Sequence, residues 1–329
     1  MLKLLIALHH RFELWTAPPW FAERLRRDFP GLEVVQLQGY EGIEQQIPDA
    51  DIAIGWSFRP EQFRLAKKLR WIHSTAAAVH QLMFPELIAS DVILTNAREV
   101  HGPVVAEHVI AMILALAKRI PHAVRLQQKR SWGQREIWES HPRPREVADA
   151  TLGLIGLGSI GRAVARHASS LGMKVIAARE HPEKEIPAGV QQVLSSLQVE
   201  ELLTLSDYIV LCAPVTPNTQ GLMNGDRIAK MKPEACLINV SRGPLIDEAA
   251  LIDALRGHKI GGAALDVFAQ EPLPAASPLW DLDNLLLTPH TAGLTENIWE
   301  RHYALYTENL RRYLAGQPLL GLVDKRKGY

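Results

Sequence analysis

Three polar residues follow short apolar runs in the second half of the chain, and their types together could carry a hydride-transfer reaction. They are Arg242 in Asn239-Val-Ser-Arg-Gly243, Glu271 in Asp266-Val-Phe-Ala-Gln-Glu-Pro272, and His290 in Thr288-Pro-His. Reducing a 2-oxo acid needs a hydride, a proton for the nascent alkoxide and a cation for the carboxylate. Histidine is the side chain best poised to give a proton near neutrality. A planar guanidinium can fork onto a carboxylate and the adjacent carbonyl oxygen. A carboxylate on the second imidazole nitrogen fixes the tautomer and stabilises the imidazolium. Taken singly, each residue has a plainer reading: a strand-end arginine, a surface glutamate, a hydrogen-bonded histidine. Their position downstream of a nucleotide-binding signature makes hydride chemistry the leading reading.

That signature is Gly153-Leu-Ile-Gly-Leu-Gly-Ser-Ile-Gly161, in which Gly156, Gly158 and Gly161 are spaced G-x-G-x-x-G. The first glycine permits a tight turn, the second lets backbone approach a diphosphate, and the third allows close packing of helix on strand. The pattern also occurs at ordinary βα turns. Here residues 150–157 read as a buried strand, a helix-periodic stretch begins near Ser159, and a second strand follows at residues 174–178. The free N–H groups and positive dipole end of such a helix favour an anion.

The same second strand bears on cofactor choice. An NAD site usually has a carboxylate about 20 residues past the fingerprint, on the ribose 2′-hydroxyl. Here the residue just past the apolar run is Arg179, which could pair with a 2′-phosphate, with His181 and Lys184 adding positive charge nearby. The competing reading puts Glu180 on the ribose. The expected cofactor is NADP, with NAD possible.

Elements to position these groups are readable along the chain. Apolar runs at residues 4–8, 33–37, 51–55, 70–74 and 92–95 alternate with helical stretches at 20–29, 62–69 and 82–89, which predicts a parallel, doubly wound sheet. This first part has no phosphate-binding glycine fingerprint. Just past its fourth strand, Ser74-Thr-Ala-Ala-Ala-Val79 could offer the backbone N–H groups of Ala76, Ala77 and Ala78 to substrate, or could simply start a helix. Pro103 is expected to open an apolar helix ending near Lys118 and Arg119. A second helix would run to Lys129, and residues 131–148, with Trp132 and Trp138, read as an extended arm. After the fingerprint, helices are expected at residues 200–205, 225–231 and 247–256, and strands at 208–214, 236–240, 262–268 and 285–288. A closing helix is expected over residues 295–315.

Composition narrows the classes further. At 329 residues the chain is long enough for two domains. Its 36 basic and 36 acidic side chains cancel, so no field of one sign recommends nucleic acid or an anionic membrane as partner. Cys212 and Cys236 both lie in apolar runs, which favours buried, reduced thiols over a disulfide or metal site. The opening Met-Leu-Lys-Leu-Leu-Ile-Ala-Leu is short, leads into His9-His10-Arg11 and lacks a cleavage site, so a strand is expected rather than a signal peptide. The apolar run 109–117 is well short of the ~20 residues of a membrane span. A cytoplasmic protein is expected.

These motifs resemble the D-isomer-specific 2-hydroxyacid dehydrogenases over nearly the whole chain. The likeness is most specific in Gly156-Leu-Gly-Ser-Ile-Gly161, Asn239-Val-Ser-Arg-Gly243, Asp266-Val-Phe-Ala-Gln-Glu-Pro272 and Thr288-Pro-His-Thr-Ala-Gly293. Ala106-Glu-His-Val and Pro214-Val-Thr-Pro-Asn-Thr-Gln-Gly-Leu222 match as well. The resemblance implies an α/β fold of two doubly wound, Rossmann-like domains. Residues 1–98 and 290–329 would form the substrate domain, and residues 99–289 the dinucleotide domain. It implies that Arg242 binds and polarises substrate, His290 is the acid/base and Glu271 orients it. Ser159 and Ile160 would meet the diphosphate, Ala213 and Pro214 would lie along the adenosine, and Asp266 would sit near the nicotinamide amide. Thr219, Val240, Ser241 and Gly293 would complete the cofactor site. It further implies a homodimer formed through residues 103–132 and a small substrate such as glyoxylate or hydroxypyruvate. A formate dehydrogenase would call for Gln in place of Glu271. The rival from another class is a nucleotide-sensing corepressor of the same fold. Two departures bear on substrate. Ala78 stands where many members have glycine, with His80 where they have aspartate, and Glu99 replaces a frequent glycine. The end at Tyr329 leaves no room for an added regulatory domain.

Overall fold

Among the described residues the strands of both sheets pair in parallel, and most returns between them pass through a helix that covers one sheet face. The computed structural model describes residues 1–10 and 12–328; Arg11 and Tyr329 lie outside the described residues. The chain divides into two units, Met1–His101 with Thr295–Tyr329, and Gly102–Leu294.

In the first unit, strands β1 (Leu2–Ala7), β2 (Leu32–Gln36), β3 (Ile52–Gly55), β4 (Trp71–Ser74) and β5 (Ile93–Asn96) form a parallel sheet of order β2-β1-β3-β4-β5. The crossovers carry helices α1 (Pro19–Asp28), α2 (Ile43–Gln46), α3 (Pro60–Leu65) and α4 (Pro85–Ala89). Alternate strand residues serve opposite faces, as the pleat dictates. Leu4, Ile6, Ile52, Ile54 and Trp71 pack with Phe21, Leu25 and the C-terminal helix Ile298–Leu314, where Trp71 stacks on Tyr306 at 5.4 Å. Leu5, Ala53, Ile72 and Leu94 face Ile43, Phe58 and Leu87 on the other side.

The second unit begins on helix α5 (Arg98–Ala117), whose first turn precedes Gly102, and continues through α6 (Ile120–Gln128) and α7 (Gln134–Glu139). Then come β6 (Thr151–Ile155), α8 (Ser159–Ser170), β7 (Lys174–Arg179), β8 (Gln192–Ser195), α9 (Val199–Leu205) and β9 (Tyr208–Leu211). The last elements are α10 (Gly225–Ile228), β10 (Cys236–Asn239), α11 (Glu248–Arg256), β11 (Gly262–Leu265) and β12 (Leu285–Leu287). Its parallel sheet has the order β12-β11-β10-β9-β6-β7-β8, so the chain reverses direction between β6 and β9, where the fingerprint sits. In such sheets a ligand binds beyond the strand carboxyl ends at this reversal.

Several expected elements shift. Pro103 lies inside α5 rather than at its start. The turn before it needs no N–H from Pro103 until the bond to Glu99, so one missing bond near the N-terminus is tolerated. Residues 131–148 are not wholly extended, since α7 forms within them, and β8 carries too weak an apolar pattern to be read in advance. The stretch 82–89 breaks into a 3-10 turn, His80–Leu82, and α4, because the residue before Pro85 is pushed out of helical geometry. The expected domain limits at 98/99 and 289/290 differ from the unit limits. Residues 290–294 stay with the second unit because Asp266 binds their backbone. Helix α5 is long and apolar enough to cross a membrane, unlike the shorter run 109–117 read from sequence. Its Val105, Val109, Ile113 and Leu116 are buried instead against the second sheet and α8. Both cysteines are free, and burial pushes the thiols up to about 12 for Cys212 and about 11 for Cys236.

Candidate active site

Strand β6 ends at Ile155, and Gly156 turns the chain with φ of 100°, a left-handed backbone that glycine adopts without strain. A Cβ there would stand 2.7 Å from the Ala213 nitrogen, so the glycine also lets the turn press against the end of β9. Helix α8 then starts at Ser159 with no side-chain cap, leaving backbone donors at its N-terminus. At Gly158 a Cβ would meet nothing within 4 Å, so there is space beside the glycine that precedes the helix. Ser159 and Ile160 form the first turn. This arrangement fits the diphosphate of a dinucleotide.

Around the turn the other expected cofactor residues fall into place at neighbouring strand ends. Ala213 and Pro214 follow β9, while Val240 and Ser241 follow β10. The Ser241 hydroxyl donates to the Ala213 carbonyl at 2.5 Å and ties those two ends together. Thr219 is spent locally: its hydroxyl donates to the Pro214 carbonyl at 2.7 Å and accepts from the Thr216 N–H at 2.7 Å. Arg179 closes β7, and its guanidinium donates to the carbonyls of Lys184 and Glu185. His181 faces Glu183 at 3.3 Å, so its charge, when present, is offset rather than added.

The three chemical residues belong to one unit. Arg242 follows β10 in a loop braced by Asn239, whose side chain donates to the Arg242 carbonyl at 2.9 Å and accepts from the Ser241 N–H at 3.0 Å. Burial lowers the Arg242 guanidinium from its ordinary value, and the Glu271 charge opposes that. Gly243 is next, and a Cβ there would stand 2.0 Å from the Phe268 carbonyl. Only glycine lets the Arg242 loop lie against the loop that carries Glu271. Glu271 Oε1 accepts the Phe268 N–H at 3.0 Å, and Oε2 lies 2.7 Å from His290 Nδ1. An ionised carboxylate only accepts, so Nδ1 holds a proton and Nε2 is left as the working nitrogen of a half-exposed ring.

His290 has φ of 54°, a left-handed conformation costing about 1–2 kcal/mol in a residue with a Cβ. Asp266 holds it there. Its carbonyl accepts the His290 N–H at 2.9 Å. Its carboxylate accepts from the Thr288 hydroxyl at 2.6 Å and from the N–H groups of Thr291 at 2.8 Å and Ala292 at 3.0 Å. The side chain expected beside the nicotinamide amide is 1% exposed and braces the histidine turn, with Gly293 at the turn's far end.

In the first unit, the Ala76 N–H donates to Ser74 Oγ at 3.2 Å, and the Ala76 and Ala77 carbonyls accept from Ala97 and Asn96. The loop is not the start of a regular helix. Among the described residues, the N–H groups of Ala77 and Ala78 have no protein acceptor. Sequence reasoning missed Gly243, Thr288 and His108. The signals for the last were a histidine inside the apolar stripe of α5 and its place in the Ala106-Glu-His-Val match.

The family model for "D-isomer specific 2-hydroxyacid dehydrogenase, NAD binding domain" matches residues 110–292. The D-3-phosphoglycerate dehydrogenase of Synechocystis sp. is 37% identical over 257 residues, covering 78% of this chain and 45% of that protein. The chain thus spans about half the length of the first such relatives. The glyoxylate reductase of Korarchaeum cryptofilum is 33% identical over 293 residues, covering 86% of this chain and 85% of that one. Among solved structures, the NADPH-dependent glyoxylate/hydroxypyruvate reductase of Sinorhizobium meliloti, in complex with NADP and sulfate, aligns with a TM-score of 0.82 at 28% identity. That alignment covers 100% of both chains. With the fingerprint, the arginine loop and the glutamate–histidine pair in one unit that the family model spans, the chain belongs to the D-isomer specific 2-hydroxyacid dehydrogenases.

Proposed function

We propose that the chain is an NADPH-dependent reductase of small 2-oxo acids, of the glyoxylate or hydroxypyruvate kind, giving the D-2-hydroxy acid. The observation that carries this reading is the 2.7 Å His290–Glu271 pair in the same unit as Arg242 and the fingerprint. The dinucleotide supplies the hydride when bound. His290 gives the proton from Nε2 while Glu271 steadies the positive ring, and Arg242 grips the carboxylate and polarises the carbonyl. The free N–H groups of Ala77 and Ala78 are the proposed backbone contacts to substrate. Ser159, Ile160, Ala213, Pro214, Val240 and Ser241 are the proposed cofactor contacts.

The preference for NADPH rests on Arg179. Its present partners are neutral carbonyls, which leave its charge available to a 2′-phosphate at the end of β7. Arg179→Ala should weaken NADPH far more than NADH, by about 1.5–3 kcal/mol for one charge-assisted contact. A wild type that prefers NADH, with a variant that loses nothing on NADPH, would overturn the assignment.

A panel of 2-oxo acids with both cofactors, followed by absorbance, tests the whole reading. Turnover well above background on one substrate supports it. Tight cofactor binding without turnover on any would favour a nucleotide-sensing scaffold instead. We also propose a homodimer through the α5–α7 region, where Ile120, Val124, Trp132 and Trp138 are exposed. Light scattering at micromolar concentration should give twice the chain mass, and a monomer would refute it. The reduced dinucleotide and two unpaired thiols suit a cytoplasmic setting.

A further inference from the structure

We propose that His108, in the middle of α5, is a positioning residue for the His290 turn, acting through Thr288 and Asp266. The proposal rests on the reading of His290 as proton donor. Position 108 lies one helical turn from the buried Val104 and Met112, on a face where an aliphatic side chain would pack at no polar cost. The histidine there reaches out of the helix instead. Its Nε2 stands 3.1 Å from Thr288 Oγ1 and 3.7 Å from Asp266 Oδ1, so the hydrogen bond is to the threonine.

Donor counting fixes the direction of this chain. Thr288 has one hydroxyl proton, and the Asp266 carboxylate, an acceptor, takes it at 2.6 Å. Thr288 Oγ1 has only lone pairs left for His108, so Nε2 carries a proton and donates. The relay His108 Nε2–H to Thr288 O–H to Asp266 Oδ1 holds the carboxylate in the one orientation that also receives the N–H groups of Thr291 and Ala292. Those two residues follow His290, and the preceding anchor is Thr288 itself. The backbone of His290, Thr291 and Ala292 and the hydroxyl of Thr288 are thus all tied to Asp266, and His108 is the support behind it. Among the described residues, His108 is also the only basic side chain within ion-pair reach of that buried carboxylate.

The test compares His108→Leu, which fills the space without a donor, with His108→Gln, whose amide can donate from a similar position. Leu should lower kcat at least tenfold with a smaller change in KM, since a small displacement of a reacting group costs rate before binding. Gln should restore kcat to within about threefold of wild type, because a similarly placed donor is retained. A Leu variant with wild-type kcat, or Gln and Leu variants that fall equally, would overturn the proposal. Should the Leu variant fail to fold, the wild type still decides. Nitrogen-15 spectra of the histidines, with the His108 signals identified by their loss in the Gln variant, should show the proton on Nε2. A neutral ring protonated only on Nδ1 would refute the relay. His290→Asn, measured alongside, separates the two levels. If it keeps full turnover, the site reading itself fails. If it is inactive while His108→Leu is unaffected, only the positioning role fails.

Discussion

Glu271 and His290 share a single hydrogen bond of 2.7 Å, and the value of that bond depends on which nitrogen it takes. By holding Nδ1 it leaves Nε2 to exchange protons with substrate. His290→Asn removes the exchangeable proton and should lower kcat by about 10²–10⁴-fold, the usual weight of a general acid. Cofactor affinity should survive, because the turn at Gly156 and the start of α8 are untouched. Glu271→Gln keeps a group of similar size but replaces the charged acceptor at Nδ1 with a neutral amide, which holds the ring more weakly. The ring is then less firmly oriented, so kcat should fall at least tenfold while cofactor affinity is kept. A wild-type kcat in steady-state assays would remove Glu271 from the mechanism.

At the scale of elements, the site is a set of strand ends brought close by missing side chains. Gly243 sits where the loop after β10 meets the loop after β11, and a Cβ there would stand only 2.0 Å from the Phe268 carbonyl. Gly243→Ala must separate the two loops or strain them, an overpacking cost of about 1–3 kcal/mol. The melting temperature should fall by several degrees. Turnover should fall at least tenfold, because Arg242 and Glu271 ride on the separated loops; roughly that much follows from small misplacement alone. Dinucleotide binding measured by fluorescence should change far less. An alanine variant with native turnover would show that the loops need not touch.

For the whole molecule, two buried histidines of the first unit set a pH liability. His73 is buried, with Nδ1 2.8 Å from the Thr95 hydroxyl, and burial pushes it down to about 3. His302, also buried, is pushed well below its ordinary value by burial first and then by the neighbouring rings of His101 and His73. Both are neutral in the folded state, whereas the unfolded chain protonates them below about pH 6.5. Stability is therefore intact above that pH and falls as the pH drops below it. For His73 the loss is complete only near its folded value of about 3. Each such histidine costs about 1.4 kcal/mol per pH unit within that window. Urea midpoints should fall between pH 7 and pH 5, and His302→Phe should flatten the dependence. A midpoint constant over that range would contradict buried neutral histidines.

The glycine spacing, the alternation of apolar runs and the Arg, Glu and His motifs were legible in the residues because each follows from local chemistry. A turn needs glycine at Gly156, a buried strand needs apolar residues in series, and a proton donor needs an imidazole. Boundaries that depend on competing neighbours were less legible. Pro103 reads as a helix start, yet α5 runs back through it to Arg98, with Val100 buried in the turn before the proline. Strand β8 exists because β7 offers a partner edge, a fact absent from its own four residues. The function of Asp266 was decided only by folding, which buried the carboxylate among the N–H groups of a turn 24 to 26 residues away. His108 and Thr288 lie 180 residues apart, and their hydrogen bond leaves no trace in either local sequence. Sequence determines what each side chain can donate or accept. Tertiary structure decides which partner it meets, because that depends on long-range packing that no local pattern encodes.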